Sequence, residues 1–149
     1  LPAGPGQLFD AAGQKYLRVA RQVHRLGGGW SNLPRELQRE MDEVRELYEQ
    51  AADQGHVSAM TNLGYMYGHG QGVAQSYMIA RDWLERAAEG GYADAQAILG
   101  SYYERGREGV AIDLPIARMW FEKAAAQGHA KAMINLVPCS SMVRAWSKI

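Results

Sequence analysis

The sequence predicts an all-α fold built from antiparallel helix pairs, and three observations support this. A ten-residue segment rich in alanine, with glycine near its middle, recurs at 51–60, 87–96 and 124–133. The segments start 36 and then 37 residues apart (87 − 51 = 36; 124 − 87 = 37). Within each unit the apolar residues recur three or four positions apart, which places them on one face of a helix. Such a period is typical of helix-pair arrays, in which neighbouring units stack to bury their apolar faces.

The first helix of a unit is defined by apolar residues four positions apart. Ala59, Leu63 and Tyr67 therefore lie on one face of this helix. Gly64 removes a side chain at a point where we expect a neighbouring helix to approach closely. The same Leu-Gly pair and tyrosine recur 36 residues later (99 − 63 = 36), so the second unit repeats this helix.

The second helix of a unit begins after a glycine-rich turn. We expect Ser76 and Asp113 to open these helices, because their side-chain oxygens accept hydrogen bonds from free backbone amides. The buried stripe that follows in the first full unit is expected at Ala80, Trp83 or Leu84, and Ala87. Three helix ends are each followed by a glycine, at Gly55, Gly91 and Gly128. A glycine at this place favours a left-handed stop of the helix.

The N-terminal region predicts a further, more degenerate helix pair. Its first helix carries apolar residues at spacings of three and four, at Phe9, Ala12, Tyr16, Val19, Val23 and Leu26. Three glycines at 27–29 end that helix. Pro34 falls in the first turn of the next helix, where proline is well tolerated. The apolar residues of that second helix are Leu37, Met41, Val44, Tyr48 and Ala51.

The pattern A-x-x-x-G-x-x-x-A-x-x-x-L-G-x-x-Y, followed by a glycine turn, G-V, A-x-x-W and A-A, resembles the Sel-one-like repeat (SLR) family, a relative of the tetratricopeptide repeat. The resemblance covers residues 48–136. It implies an α/α superhelix, a right-handed solenoid of antiparallel helix pairs, in proteins that serve as adaptors or scaffolds. Ser76 stands where the family usually has aspartate, although serine also caps helices. In the third unit Val137 replaces the expected glycine, and Pro138 would stop that helix.

These observations divide the chain into six segments. They are a flexible N-terminus at 1–6, a degenerate helix pair at 7–54, a first repeat at 55–90, a second repeat at 91–127, a partial third repeat at 128–138 and an irregular tail at 139–149. The tail either caps the array or marks the point at which a longer array is cut.

The composition argues against several classes of function. Lysine plus arginine and aspartate plus glutamate both number 16, so the net charge predicts no nucleic-acid or membrane partner. No apolar run is long enough to cross a bilayer, and no targeting segment is visible, which favours the cytoplasm. The single cysteine, Cys139, excludes an intrachain disulfide. We expect a monomer or part of a longer array.

The sequence contains no pattern that indicates catalysis, a metal ion or a cofactor. The glycine-rich segment at 68–72 lies between two helices, whereas a phosphate-binding loop would follow a strand, so we interpret it as a turn. His56 and His129 occupy equivalent repeat positions, which keeps them apart and predicts a structural or surface role. As a nucleophile, Cys139 would need a nearby base and a third group to orient that base, and its place in the irregular tail argues against this role. We therefore predict no catalytic residue, no metal ligand, no cofactor and no enzymatic activity.

The candidate binding site follows from the implied architecture, in which the first helix of each pair lines a concave groove. The groove residues predicted on this basis are Ser58, Thr61, Asn62, Tyr65, His69, Asp94, Ala97, Ser101, Glu104 and Arg105. Tyr65 is the expected anchor, because a rigid aromatic side chain gives a large contact area at low entropic cost. An equally simple interpretation is that these residues are merely exposed.

We therefore predict a protein-interaction scaffold or adaptor that binds a peptide or helix of a partner protein in this groove. One alternative is single-stranded RNA binding, because some helical repeats of similar period read one base per unit, although such arrays usually need a basic face. A second alternative is a hydrolase resembling cysteine-rich relatives linked to β-lactam hydrolysis. Those relatives carry a disulfide in each unit, whereas this chain has one cysteine.

Overall fold

The computed structural model describes residues 2–134, and the architecture in that range is all-α, as the repeat spacing predicts. The helices are α1 (Pro5–Leu26), α2 (Arg35–Asp53), α3 (Val57–His69), α4 (Tyr77–Glu89), α5 (Ala93–Arg105) and α6 (Leu114–Ala126), with a 3-10 helix at Trp30–Asn32. Residues 130–134 are also helical. The predictions for the end of the third repeat and for the tail at 139–149 lie outside the described residues.

The chain divides into two compact units, residues 1–83 and residues 84–149. In the first unit, α2 packs against both α1 and α3. The buried core residues of these three helices include Ala12, Val19, Val23, Leu37, Met41, Val44, Tyr48, Leu63 and Met66. Salt bridges from Lys15 to Glu43 and from Arg18 to Glu40 also join α1 to α2 at the surface. The apolar stripes predicted for α1 and α2 therefore form the contact between the two helices.

The two ends of α1 differ from what the sequence predicts. The helix begins at Pro5, inside the segment that we expected to be flexible. Proline suits the first helical position, and the backbone amide of Gly4 donates to the side-chain oxygen of Gln7 at 3.2 Å. At the other end Leu26 is exposed, because it is the last residue before Gly27 turns the chain at a φ of 66°.

In the second unit α5 packs against α6, and the contact centres on Phe121. The Phe121 ring is fully buried in a cluster of small side chains, which are Ala97, Ala117, Ala124 and Ala132. A Cβ atom placed on Gly100 would lie only 2.7 Å from Cε1 of Phe121. The glycine of the Leu-Gly pair in this unit is therefore required by a close approach, as the sequence predicts.

The three repeated glycines end their helices through the same hydrogen bonds. Their φ angles are 87°, 87° and 83° at Gly55, Gly91 and Gly128. After α2, the N–H of Gly55 donates to the carbonyl of Ala52 at 2.9 Å, and the N–H of His56 to that of Ala51 at 3.1 Å. The equivalent bonds follow α4 and α6. This pair of bonds is the Schellman motif, so the left-handed stop is confirmed at all three places.

The helices α4 and α6 begin at the predicted capping residues. Ser76 Oγ and Asp113 Oδ1 each accept a hydrogen bond from the backbone amide three residues later, at 3.3 and 3.1 Å. The turn before α4 is shorter than expected, since Gly68 lies within α3, which ends at His69. The side-chain amide of Gln75 donates to the Gly68 carbonyl at 2.8 Å. A residue of the turn thus provides a hydrogen-bond donor for one of the backbone carbonyl groups that have no partner within the last turn of α3.

Candidate functional site

The α3 helix presents an exposed pair of aromatic rings. Tyr65 is 47% exposed, and its ring stacks on that of His69 with the centroids 4.1 Å apart. The two residues are four positions apart and therefore lie on one face of the helix. The Nδ1 atom of His69 lies 3.1 Å from the carbonyl oxygen of Tyr65, and this contact orients the imidazole against the phenol ring.

Beside this pair lies a cavity of about 250 Å³, contained within the first compact unit. Side chains from α1, α2, α3 and the turn after α3 line it, and they are Tyr16, Tyr48, Asn62, Tyr65, Met66 and Gln71. Three phenol rings and a thioether supply apolar walls, whereas two amides and the phenol hydroxyls supply polar groups. None of the lining side chains from the described part of the chain is acidic or basic.

Hydrogen bonds between side chains hold the polar part of the lining in place. The Tyr16 hydroxyl donates to Oε1 of Gln71 at 3.2 Å, and Nδ2 of Asn62 donates to the Tyr48 hydroxyl at 3.2 Å. Burial raises the pKa of Tyr16 and the pKa of Tyr48, because a phenolate is poorly solvated at these positions. Both phenols therefore stay protonated at neutral pH and act as hydrogen-bonding groups rather than as bases.

Further aromatic contacts support the walls of the cavity. Tyr16 stacks on Trp30, with the ring centroids 5.8 Å apart and the planes 5° from parallel. Phe9 lies 5.7 Å from the Tyr48 ring and stacks on His56 at 4.5 Å. Because Tyr16 and Tyr48 each contact a second aromatic side chain, their rings are positioned before a ligand arrives, which lowers the entropic cost of binding.

The equivalent histidines cap helices. Nδ1 of His56 accepts a hydrogen bond from the amide of Ala59 at 3.2 Å, and Nδ1 of His129 accepts one from the amide of Ala132 at 3.3 Å. Nε2 of His129 also lies 2.8 Å from Oδ1 of Asp94. Because Nδ1 accepts, the neutral ring must carry its proton on Nε2, which then donates to the carboxylate. These contacts give both histidines the structural role that the sequence predicts.

The described residues hold no cluster suited to a metal ion. No group of three or more His, Cys, Asp or Glu side chains is arranged for one between residues 2 and 134. Of the helices in this same range, none is long and apolar enough to cross a bilayer. Cys139, considered above as a nucleophile, lies outside the part of the chain that the structure describes.

The Sel1 repeat model matches the chain at residues 45–56, 57–92 and 93–129, which is more than half of its length. The chain belongs to the Sel1 repeat family. Sel1 repeat proteins are generally protein-interaction scaffolds, and the family is typically non-catalytic. The matched boundaries assign α3 and α4 to one Sel1 repeat, and α5 and α6 to the next.

Two solved structures agree with this assignment. A Sel1 repeat protein from Oxalobacter formigenes is 34% identical with a TM-score of 0.63, over 90% of this chain and 95% of that one. A protective antigen of uropathogenic Escherichia coli strains, with an SLR fold, is 38% identical with a TM-score of 0.62. That match covers 64% of this chain but only 21% of the antigen. No curated protein sequence matches this chain. The fold class is the all-α helical solenoid of SLR proteins.

Four of the five groove residues predicted on α3 are at least partly exposed to solvent. They are Ser58, Asn62, Tyr65 and His69, of which the last two are exposed and the others half-buried. Thr61 requires a correction, because it is only 6% exposed. Its hydroxyl donates to the carbonyl of Val57 at 2.9 Å, so the side chain is occupied by the backbone of its own helix.

The five groove residues predicted on α5 belong to the second compact unit. Asp94 and Arg105 are exposed, whereas Ser101 and Glu104 are half-buried. Ala97 requires a correction, because it is 6% exposed and belongs to the buried cluster around the α6 phenylalanine. The position has a small side chain because a large aromatic ring fills the space between these helices.

The cavity also depends on residues to which the sequence assigns other roles. The apolar spacing places Tyr16 and Tyr48 in the cores of α1 and α2, and no motif singles out Met66 or Gln71 for binding. One usable signal is tyrosine within an amphipathic stripe, because a phenol hydroxyl must reach a polar partner or water. The 55 positions between Tyr16 and Gln71 explain why the spacing alone does not reveal their hydrogen bond.

Proposed function

We propose that this Sel1 repeat protein is a non-catalytic scaffold that binds a peptide or helix of a partner protein on the exposed face of α3. The observation that carries the proposal is the exposed Tyr65 ring at the mouth of a preformed aromatic cavity. Residues that dominate binding energy at protein interfaces are enriched in tyrosine and tend to lie beside pockets that exclude water.

The neighbouring groups suit a protein partner better than a reacting substrate. The cavity offers apolar ring surface with a few hydrogen-bonding groups, which is the usual chemistry of a recognition site. The phenols of Tyr16, which is half-buried, and Tyr48, which is buried, are protonated at neutral pH, and burial raises the pKa of both still further, so neither acts as a proton acceptor in catalysis. The equal numbers of acidic and basic residues also make RNA binding the less favoured alternative.

The exposed residues of α5 form a second, separate part of the proposal. Asp94 and Arg105 are exposed at opposite ends of α5, and Nε2 of His129 already lies against the Asp94 carboxylate. Arg105 is therefore the α5 side chain that we propose as a contact for an acidic group of the partner.

Affinity capture from a source lysate tests the proposal. The bait proteins are the wild-type chain, Tyr65→Ala and Arg105→Ala, with bound proteins identified by mass spectrometry. Tyr92→Ala and Arg39→Ala serve as matched controls, because Tyr92 makes no side-chain cap bond and Arg39 is exposed on α2. Circular dichroism of every bait shows that the helices remain folded.

A protein that is retained by the wild type and by both controls, but lost by Tyr65→Ala, supports binding on α3. Loss of the same protein by Arg105→Ala adds α5 to the binding surface. Retention of every bound protein by both test variants refutes the proposed surface. A salt-sensitive gel shift with single-stranded RNA, abolished by the same variants, would instead favour the RNA-binding alternative.

A further inference from the structure

The cavity beside Tyr65 is the size of one side chain. Its volume of about 250 Å³ lies below the range of roughly 300–1,000 Å³ that is usual for small-molecule and cofactor sites. Its lining residues nevertheless come from three helices and a turn, so the cavity is formed by the packing of several elements and not by the surface of one helix. A single protruding side chain is the occupant that matches this volume.

The charge of the lining selects the chemical class of that side chain. None of the described residues that line the cavity is acidic or basic, and the phenol hydroxyls of Tyr16 and Tyr48 are neutral at physiological pH. A charged group placed there would lose its hydration without gaining an opposite charge, which is costly. Aliphatic and aromatic groups have no charge whose hydration would be lost on moving from water into the cavity, and they gain contact with three rings and the Met66 thioether.

Each of the two side-chain amides in the lining has one polar atom that remains available to a ligand. Asn62 uses Nδ2 to reach the Tyr48 hydroxyl, and Gln71 uses Oε1 to accept from Tyr16. Among the described residues, the Asn62 carbonyl oxygen and the Gln71 amide nitrogen make no hydrogen bond. One acceptor and one donor remain, and these match the N–H and C=O groups of a peptide main chain.

We propose that this cavity receives one large uncharged side chain of a partner peptide, aliphatic or aromatic in the manner of leucine or phenylalanine. The adjoining main chain of that peptide donates an N–H to the Asn62 carbonyl and accepts a hydrogen bond from the Gln71 amide. This inference rests on the proposed scaffold function and specifies the chemistry of the partner segment.

Nuclear magnetic resonance with small probes tests the inference without a known partner. The probes are N-acetyl-L-leucinamide, N-acetyl-L-phenylalaninamide, N-acetyl-L-lysinamide and the α-amide of N-acetyl-L-glutamic acid, whose side-chain carboxylate stays free. Each carries the same main-chain donor and acceptor, so differences between them report on the side chain alone. The side-chain amide signals of Asn62 and Gln71, assigned from Asn62→Ala and Gln71→Ala spectra, are followed in the labelled wild-type protein during titration.

We expect the leucine and phenylalanine probes to move both amide signals, with dissociation constants in the millimolar range for ligands of this size. The lysine and glutamate probes should leave the signals unchanged. Tyr65→Ala removes one wall of the cavity and should weaken binding of the phenylalanine probe about tenfold. Tyr92→Ala makes the same substitution outside the cavity and should leave the dissociation constant of the phenylalanine probe unchanged.

Stronger binding of the lysine probe would overturn the inference, because the rings would then act as a cation-binding cage. The absence of any shift with all four probes would also overturn it. Loss of a captured protein by Tyr65→Ala would in that case leave the scaffold function intact while rejecting the side-chain cavity. Conversely, probe binding without any capture that depends on Tyr65 or Arg105 would reject the proposed binding surface but retain the side-chain preference of the cavity.

Discussion

Replacing Gly100 by alanine should destabilise the second compact unit, although alanine is the better helix former. Gly100 lies within α5, where an added Cβ would be 2.7 Å from Cε1 and 2.8 Å from Cδ1 of Phe121. Contacts this short force the ring or the helix to move. Phe121 is fully buried among small side chains, so the ring has little space into which it can retreat.

The same substitution at Gly13 provides the matched control. Gly13 lies within α1, and its added Cβ would meet only the Tyr48 hydroxyl, at an ordinary contact distance of 3.9 Å. Gly13→Ala should therefore stabilise the protein by about 0.8–1 kcal/mol through helix propensity alone. Gly100→Ala gains the same amount but loses about 2–3 kcal/mol to overpacking, so the net free energy of unfolding falls by about 1–2 kcal/mol.

Thermal and urea unfolding followed by circular dichroism measure this difference. A gap of about 2–3 kcal/mol between the two variants corresponds to roughly 4–12 °C in Tm for a chain of this length. Hydrogen exchange measured by mass spectrometry assigns the loss to α5 and α6. Phe121→Leu combined with Gly100→Ala should recover part of the loss, because the smaller side chain makes room. If Gly100→Ala stabilises the protein as much as Gly13→Ala, the close-contact argument is refuted.

Two further predictions concern the first compact unit. His56→Ala removes the acceptor that caps α3 and the ring stacked on Phe9, so the free energy of unfolding should fall by about 1–3 kcal/mol in urea titrations. His56→Asn keeps a capping oxygen and should lose less; equal losses would contradict a capping role. The hydrogen bond and the charge of Lys15 lower the pKa of Glu43 from 4.5. The carboxylate therefore contributes stability above about pH 4.5 that is lost as the pH falls through the lower folded pKa. Carbon-detected titration of Glu43 should show the lowered pKa, and Lys15→Met should return it toward its usual value; an unchanged pKa would refute the pairing.

The repeat unit and its helix boundaries could be predicted from the sequence because they depend on local chemistry. A capping oxygen at Ser76 or Asp113 satisfies amides within its own first turn, whatever lies around it. The glycine after each helix is likewise selected by a positive φ that other residues rarely adopt. These hydrogen bonds join residues at most five positions apart (56 − 51 = 5), so they leave a direct trace in the sequence spacing.

The candidate site was predictable only in part, since exposure depends on rotation about a helix relative to its neighbours. Tyr65 and His69 are exposed as expected. Thr61, on the same helix, is buried, and so is Ala97 on α5. A repeat pattern identifies which residues recur, but residues beside the recurring stripe can face either the core or the solvent, and packing decides between them.

The sequence by itself determined that this chain forms Sel1 repeats of paired helices, because a period of 36 or 37 residues and the capping positions are local properties. The aromatic cavity was decided only by tertiary structure. Tyr16, Tyr48 and Gln71 come from α1, α2 and the turn after α3, and their approach requires those helices to pack together. Hydrogen bonds between residues so distant in the chain follow from packing geometry, which no periodicity along one helix encodes.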